Sequence, residues 1–199
     1  MKLEIILGIC LVFLCPVTCY AFAYALKAER FEQNDYVITA HGTATCFESG
    51  KLLTAAHNVV DQNKKETDVF IEVKGVWKPA IVLKINHDID LALLECKSAQ
   101  KTTSLAKNNP KEGASFVLWG SKRGKPISSH EGTVKRAWYK GFADYLADVS
   151  FDHGDSGAPL IANGKVIGIA CAGLPKDGDI DTSKALFVPV VVIRTFLED

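Results

Sequence analysis

Short runs of β-branched, aromatic and aliphatic residues recur along most of the chain, and Gly, Pro, Asn or Asp separates each run from the next. Such runs at short intervals are typical of strands in a sandwich or barrel rather than of βαβ units. One set of predicted strands lies near residues 36–40, 43–47, 52–55, 69–73, 76–85 and 91–96. A second set lies near residues 115–120, 132–139, 145–149, 159–161, 166–171 and 185–188.

A polar stretch at residues 98–113 separates the two sets. Six short strands on either side of one linker predict two small barrels packed together, over residues 31–105 and 113–189. The pattern at residues 190–199 is that of a helix, and Pro189 suits its first turn. The predicted fold class is therefore all-β, with two packed six-stranded antiparallel β-barrels and a short C-terminal helix.

The first two dozen residues form a segment of a different kind. A charged start precedes an uncharged apolar run at residues 5–14, and the sequence Ala-Phe-Ala follows at 21–23. This arrangement is typical of a secretory signal peptide over residues 1–23. Apolar character continues to Leu26, so residues 5–26 are also long enough to cross a bilayer as an uncleaved anchor. Either alternative predicts an extracytoplasmic protein, secreted or periplasmic, and the second adds a membrane contact.

Composition excludes several classes of function. The chain has 199 residues with 23 Lys and Arg against 23 Asp and Glu, so it lacks the positive excess that nucleic-acid binding requires. Its apolar share of 48% is enough to build a core. Cys46, Cys96 and Cys171, which follow the leader, have no C-x-x-C spacing, and no histidine pair has a zinc-site spacing. We expect no metal, no cofactor and no disulfide framework. At most one bridge can form among these three cysteines, and the alternative that we favour is that all three are small buried apolar residues.

The segment at residues 154–160, Gly-Asp-Ser-Gly-Ala-Pro-Leu, is the strongest local motif. It sets Ser156 on a tight turn that leads into an apolar strand. A nucleophilic serine needs such a turn, because the backbone N–H groups of Gly154 and Ser156 can then stabilise the negative oxygen of a tetrahedral intermediate. Taken alone, the same residues also fit an ordinary β-turn.

Two further residues supply what a serine nucleophile requires. His57 follows the short apolar strand Leu-Leu-Thr-Ala-Ala, and Asp90 directly precedes the apolar run at residues 91–94. A serine needs a base to take its proton, and a histidine base needs a carboxylate to orient it. An acid at the start of an apolar strand is costly to bury without such a partner. Asp88, by contrast, is expected to be a solvated turn residue.

These motifs together resemble the trypsin-like (chymotrypsin-fold) serine proteases, and most closely the HtrA/Deg-type catalytic domains. The resemblance covers most of residues 39–198: LLTAAHNVV is similar to the histidine motif, DIDLALLE to the aspartate motif and GDSGAPLIANGKVIGIACAG to the serine motif. It implies a serine endopeptidase of protein or peptide substrates with His57, Asp90 and Ser156 as its catalytic residues. It also implies an oxyanion hole at Gly154 and Ser156. No PDZ-like region follows in the sequence, so substrate presentation by such a domain is not expected.

The resemblance also locates the substrate pocket. Ser150 corresponds to its base and Ala172 and Gly173 to its wall, and none of them is charged. This predicts a preference for apolar or small residues before the scissile bond. The alternative from another class is an inactive homologue that binds proteins or peptides without cutting them.

Overall fold

A computed structural model describes residues 22–32, 35–60, 67–136 and 145–199, and strands make up most of these ranges. They contain twelve strands and one α-helix. The first six strands are β1 (Ala23–Glu32), β2 (Asp35–Glu48), β3 (Lys51–Thr54), β4 (Asp68–Val73), β5 (Val76–Asn86) and β6 (Leu91–Glu95). The next six are β7 (Ser115–Gly120), β8 (Ser128–Arg136), β9 (Tyr145–Val149), β10 (Pro159–Ala162), β11 (Lys165–Lys176) and β12 (Asp179–Pro189), and helix α1 (Val190–Glu198) follows.

The strands close into two barrels. The N-terminal barrel runs in the order β1-β2-β3-β6-β5-β4, and the C-terminal barrel runs in the order β10-β11-β12-β9-β8-β7. Neighbouring strands pair antiparallel, mostly as hairpins, as the short connections require. The predicted fold class of two six-stranded antiparallel barrels with a C-terminal helix is confirmed.

Strand β1 is the main difference from the pattern read along the sequence. The prediction began the N-terminal barrel at residue 31, whereas the barrel begins at Ala23. Ala25 and Leu26 are buried, while the charged Lys27 side chain points outward and lies over the rings of Phe70 and Trp77. The apolar half of β1 thus merges in the sequence with the leader. Its charged half lacks the composition of a strand.

Strand β2 replaces two predicted strands that were separated near residue 42. Gly42 lies inside this strand rather than at a turn, and the side chain of Asn58 occupies the space that a Cβ at this position would need. The prediction therefore counted six strands in this barrel because it divided β2 into two strands and did not include β1. In the C-terminal barrel the bounds of β7 and β9 coincide with the predicted ones, and residues 137–139 of the predicted strand 132–139 lie outside the described residues.

Each barrel has an apolar core, and a third apolar cluster joins the barrels to each other and to α1. In this third cluster the ring of Phe22 packs edge-on against Trp119 at 6.4 Å between centroids. The buried members of the cluster are Phe22, Ala23, Leu53, Leu91, Ile161, Val166, Ile169, Cys171, Val188, Ile193 and Phe196. This packing holds β3 and β6 of the first barrel against β10 and β11 of the second. The turn after β3 and the loop before β10 lie beside one another, because the Asn58 side-chain amide donates to the Ser156 carbonyl oxygen at 2.9 Å.

The end of the predicted leader lies within this packed region. Phe22 and Ala23 are buried, and the Phe22 carbonyl oxygen accepts a hydrogen bond from the N–H of Cys46 at 2.8 Å. The rest of the predicted leader, residues 1–21, lies outside the described residues. Among the helices that the structure does describe, none combines the length and the apolar character that crossing a membrane takes. Cys46, Cys96 and Cys171 are all buried.

Candidate active site

His57 lies in a single turn of 3-10 helix, Ala56–Asn58, directly after β3. Its neighbour Asn58 anchors this turn, because the Asn58 side-chain amide donates to Thr54 Oγ1 at 3.1 Å and to the Ser156 carbonyl oxygen at 2.9 Å. The His57 side chain keeps about half of its surface exposed, at 51%. The ring is therefore held at its base and open to solvent at its far side.

Asp90 meets the histidine from the turn between β5 and β6. Its Oδ1 accepts the backbone N–H of His57 at 3.0 Å, and its Oδ2 lies 2.7 Å from Nδ1 of the ring. The Asp90 carbonyl oxygen also accepts the N–H of Ala56 at 3.1 Å. An ionised carboxylate only accepts hydrogen bonds, so this contact places a proton on Nδ1 and leaves Nε2 free to accept one. Asp88 is exposed and bonds through its own N–H to the Asn86 side chain.

Ser156 lies in the loop that connects β9 to β10, and strand β2 of the other barrel holds this loop. The Ser156 carbonyl oxygen accepts the Thr43 N–H at 2.8 Å. The next residue, Gly157, has φ +88°, and a Cβ there would collide with the Thr43 carbonyl oxygen. The Oγ–H of Ser156 donates to the carbonyl oxygen of Cys171 at 3.3 Å. Glycine is thus required at residue 157, where this loop crosses β2. We call the loop between β9 and β10, residues 150–158, the nucleophile loop.

Two backbone N–H groups of this loop form a pair of donors. Gly154 and Ser156 are both buried, yet within the described ranges neither N–H group has an acceptor. Buried backbone N–H groups are almost always paired, so two unpaired donors two residues apart are a place where an anionic oxygen can bind. An oxyanion hole uses two backbone donors of this kind.

One open cavity of about 710 Å³ brings these groups together. We call it the His57–Ser156 cavity. Its lining, as far as the structure describes it, consists of Ala40, His41, His57, Asn58, Arg123, His153, Gly154 and Ser156. Asp90 lies behind the imidazole.

Of the three predicted pocket residues, Ser150 directly follows β9, and Ala172 and Gly173 lie in β11. Ser150, Ala172 and Gly173 are not among the described residues that line the His57–Ser156 cavity. Ser150 is exposed and its Oγ lies 3.3 Å from Nζ of Lys122. Ala172 and Gly173 continue β11 directly after Cys171, and the side chain of Ile180 packs where a Cβ of Gly173 would lie. This surface is uncharged at Ala172 and Gly173, but a lysine approaches Ser150.

Two residues of the nucleophile loop, Asp152 and Asp155, carry buried carboxylates. Burial raises the pKa of Asp155 to about 6, against the lowering effect of the Asp152 N–H, which donates to its Oδ2 at 3.0 Å. Its Oδ1 has no hydrogen-bond partner in the described structure. Burial would also raise the pKa of Asp152, but the Arg123 guanidinium and the His153 N–H outweigh this and hold that pKa below its ordinary value.

Several residues that position the site were not found from the sequence: Thr43, Thr45, Thr54, Asn58, Ser121 and Arg123. The threonines carried a signal, because Thr43 and Thr45 alternate with the core residues Ala44 and Cys46 along β2. Both faces of the strand are therefore buried, and a buried polar face implies partners. Thr45 Oγ1 donates to the Gly157 carbonyl oxygen at 2.9 Å. Arg123 carried no such signal in a loop rich in charged and small residues.

One protein family and two relatives resemble this chain in sequence. The family model described as a trypsin-like peptidase domain matches residues 42–169. The chain is 27% identical over 192 residues to putative protease Do-like 3, mitochondrial, of Arabidopsis thaliana, a match that covers 88% of the chain and 33% of the relative. It is 27% identical over 172 residues to protease Do-like 4, mitochondrial, of the same plant, covering 78% of the chain and 31% of the relative. The chain thus spans about a third of the length of these relatives.

Solved structures show the same fold. The Rv3671c protease of M. tuberculosis in its active form superposes with a TM-score of 0.75 at 20% identity, over 92% of this chain and 83% of that one. The inactive form of the same protease gives a TM-score of 0.71 at 19% identity, over 90% and 88% of the two chains.

Proposed function

The chain belongs to the trypsin-like peptidase family, and from this premise we propose that it is a serine endopeptidase. Ser156 attacks the substrate carbonyl, His57 transfers the proton and Asp90 orients the imidazole. The observation that carries the proposal is the double contact of Asp90 with His57, at the backbone N–H and at Nδ1, beside a cavity that His57 shares with Ser156.

Acylation begins when the Ser156 hydroxyl turns from the Cys171 carbonyl oxygen toward His57. Its Oγ then forms a bond to the substrate carbonyl carbon while the hydroxyl proton passes to Nε2. The carbonyl electron pair moves onto the oxygen, and the N–H groups of Gly154 and Ser156 donate to this oxyanion. Asp90 stabilises the imidazolium through Nδ1–H. As the C–N bond breaks, the imidazolium returns its proton to the departing amine.

Deacylation repeats these steps with water as the nucleophile. His57 takes a proton from the water molecule, whose oxygen attacks the acyl carbon, and the same two N–H groups again stabilise the oxyanion. Ser156 then leaves as the alcohol and recovers its proton from the imidazolium. The chain's own side chains and one water molecule supply every proton in the cycle.

The substrates we propose are proteins or peptides with an apolar or small residue before the scissile bond. Ala172 and Gly173 offer an apolar wall, and Ile180 packs against Gly173. Discrimination in an apolar pocket is modest, about 1–3 kcal/mol per methylene group. Digestion of a peptide library, followed by mass spectrometry of the products, measures this preference. Cleavage mainly after Lys, Arg or Glu would contradict it.

The second candidate function is that of a protein- or peptide-binding homologue without activity. The bond from Ser156 Oγ to the Cys171 carbonyl oxygen favours this candidate, because in this position the hydroxyl is not paired with His57. Catalytic hydrogen bonds are often incomplete before substrate binds, so the same contact is compatible with an enzyme. The two candidates differ in whether Ser156 reacts as a nucleophile.

Covalent labelling with a fluorophosphonate probe separates the two candidates. The full chain is treated with the probe and its intact mass is measured, beside Ser156→Ala and, as a matched control, Ser98→Ala at an exposed serine of the polar linker. An enzyme gives one adduct that Ser156→Ala abolishes and Ser98→Ala keeps, together with hydrolysis of library peptides. A folded chain that gives neither an adduct nor hydrolysis would establish the binding homologue instead.

We propose an extracytoplasmic location on the pattern of residues 1–23. Phe22 and Ala23 are part of the packed barrels, so cleavage after Ala23 removes buried contacts. N-terminal sequencing of the exported protein decides between a start at residue 24, an earlier start and an uncleaved anchor. Recovery of the chain from the cytosolic fraction would overturn the location.

A further inference from the structure

Hydrogen bonds hold the carbonyl groups of both His153 and Gly154 in place. The His153 carbonyl oxygen accepts the backbone N–H of Arg123. The Gly154 carbonyl oxygen accepts Thr43 Oγ1–H at 2.8 Å, and Thr43 Oγ1 in turn accepts the N–H of Ser121 at 2.9 Å. The segment around residues 121–124 therefore holds the two carbonyl groups that flank the proposed oxyanion donor.

The hydrogen bond from the Arg123 N–H to the His153 carbonyl oxygen also fixes the direction of the Gly154 N–H. In a trans peptide the C=O and the following N–H lie in one plane and point in opposite directions. With the His153 oxygen directed at Arg123, the Gly154 N–H is directed away from residues 121–124, and no described residue accepts it. Gly154 lines the His57–Ser156 cavity, which is where an oxyanion donor has to point.

Arg123 holds an unusual backbone conformation to make this bond. Its φ of 53° and ψ of 37° lie in the left-handed region, which costs a residue with a Cβ about 1 kcal/mol or more. Its side chain returns to the same loop, where Nε lies 2.8 Å from Asp152 Oδ2 and Nη2 lies 3.4 Å from Oδ1. Two parallel contacts from a guanidinium to a carboxylate define both distance and orientation.

Asp152 is fixed in turn by its own loop. It is buried at 4% exposure, its Oδ1 accepts the His153 N–H at 2.8 Å, and its N–H donates to Asp155 Oδ2 at 3.0 Å. Arg123 thus binds the nucleophile loop twice, through its backbone to the His153 carbonyl and through its side chain to a carboxylate one residue earlier. When this ion pair is broken, the buried Asp152 carboxylate keeps only the more distant cation of Lys122, whose Nζ lies 3.9 Å from Oδ2.

We propose that Arg123, held by Asp152, is a positioning residue of the oxyanion hole. Its ion pair keeps the backbone of residue 123 where it binds the His153 carbonyl, and this bond keeps the Gly154 N–H aimed into the His57–Ser156 cavity. The inference rests on the proposed serine endopeptidase activity and assigns to Arg123 and Asp152 a role in kcat that acts through the orientation of the Gly154 N–H.

The test measures kcat and KM for Arg123→Gly, Arg123→Lys and Asp152→Asn, with active sites titrated so that only competent enzyme is counted. Arg123→Gly suits the backbone angle and removes the ion pair. We expect it to lower kcat about 100-fold, the effect of losing one oxyanion donor, with KM changed less than threefold. Arg123→Lys should recover part of the loss. Lys125→Gln, the same charge change at an exposed site of the same loop, should keep kcat within twofold.

Two further readouts separate positioning from a general loss of structure. The affinity of a peptide boronate, whose oxygen occupies the oxyanion position, should fall in parallel with kcat. The double variant Arg123→Gly with Asp152→Asn should lose no more than Arg123→Gly alone, because both changes break one contact. Asp152→Asn keeps the side-chain volume and carries the test if Arg123→Gly unfolds.

The outcomes for the inference and for the proposed function differ. If the unmodified chain neither reacts with the fluorophosphonate nor cuts peptides, the endopeptidase proposal fails. If the unmodified chain is active and both Arg123→Gly and Asp152→Asn keep kcat within threefold, the positioning role fails while the endopeptidase proposal stands. A rise in KM at unchanged kcat would likewise overturn it, since that pattern indicates lost substrate binding.

Discussion

Replacing Asp155 with asparagine should change how stability depends on pH. The Asp155 side chain is fully buried, with one oxygen bonded to the Asp152 N–H and the other unpartnered among the described residues. Burial raises its pKa to about 6 from an ordinary value near 4. Because the folded chain binds this proton more tightly than the unfolded chain does, the stability present below about pH 4 is lost as pH rises through 6.

The magnitude follows from the shift. About two pKa units at about 1.4 kcal/mol each give a loss of about 3 kcal/mol in the free energy of unfolding between pH 4 and 7. Asp155→Asn carries no charge at any pH and keeps an oxygen for the Asp152 N–H. Its stability relative to the unmodified chain should therefore improve by about 3 kcal/mol over this range, since all other titrating groups cancel in the difference.

Urea unfolding at pH 4, 5, 6 and 7, followed by tryptophan fluorescence, measures this difference. Asp181→Asn is the matched control, because hydrogen bonds from the Ser183 side chain and N–H lower the pKa of that exposed carboxylate. The control should change in the opposite direction, with relative stability lost as pH rises. A difference for Asp155→Asn that is independent of pH, or that turns against the variant as pH rises, would refute the reasoning, because the folded state would then not disfavour the Asp155 anion.

Four further substitutions test the site and its packing. Asp90→Asn should lower kcat about 10⁴-fold at similar stability, as in the chymotrypsin triad, because an amide favours the wrong imidazole tautomer; an unchanged kcat in a peptidase assay would remove Asp90 from the mechanism. Thr43→Val should cost about 1–3 kcal/mol in urea unfolding and lower kcat, since two buried backbone groups lose their partner, whereas Thr43→Ser should restore both values. Gly157→Ala combines φ +88° with a collision against a carbonyl oxygen, so it should lose more than about 2 kcal/mol, while Gly164→Ala, at φ +71° in open space, should lose about 1 kcal/mol; equal losses would contradict the steric argument. Phe22→Ala should lower the free energy of unfolding by about 3–5 kcal/mol, and a value below about 1 kcal/mol would show that this ring is not part of the folded core.

Much of the architecture could be predicted because it is encoded locally. Alternating apolar residues and turn-forming residues mark β7 and β9 at their observed bounds, since a half-buried strand and a tight turn each require particular residue types. Strand β1 could not be predicted in this way. Its apolar half continues the leader, and the charged half is stabilised by rings on β4 and β5 that lie far away in the sequence.

The sequence by itself determined the chemistry available to this protein. A histidine, an aspartate and a serine in three separate motifs, with a glycine on each side of the Asp-Ser pair, name the groups that a serine peptidase uses. Their residue types decide which can accept a proton, carry a charge or attack a carbonyl.

The tertiary structure decided how these groups are held. It brought the Asp90 carboxylate within 2.7 Å of the imidazole, bonded Ser156 Oγ to the Cys171 carbonyl oxygen and tied the nucleophile loop to Thr43 and Arg123. These contacts join residues 15 to 111 positions apart. A hydrogen bond depends on angstrom-scale distances between strands of different hairpins, and only the packing of two closed barrels determines those distances.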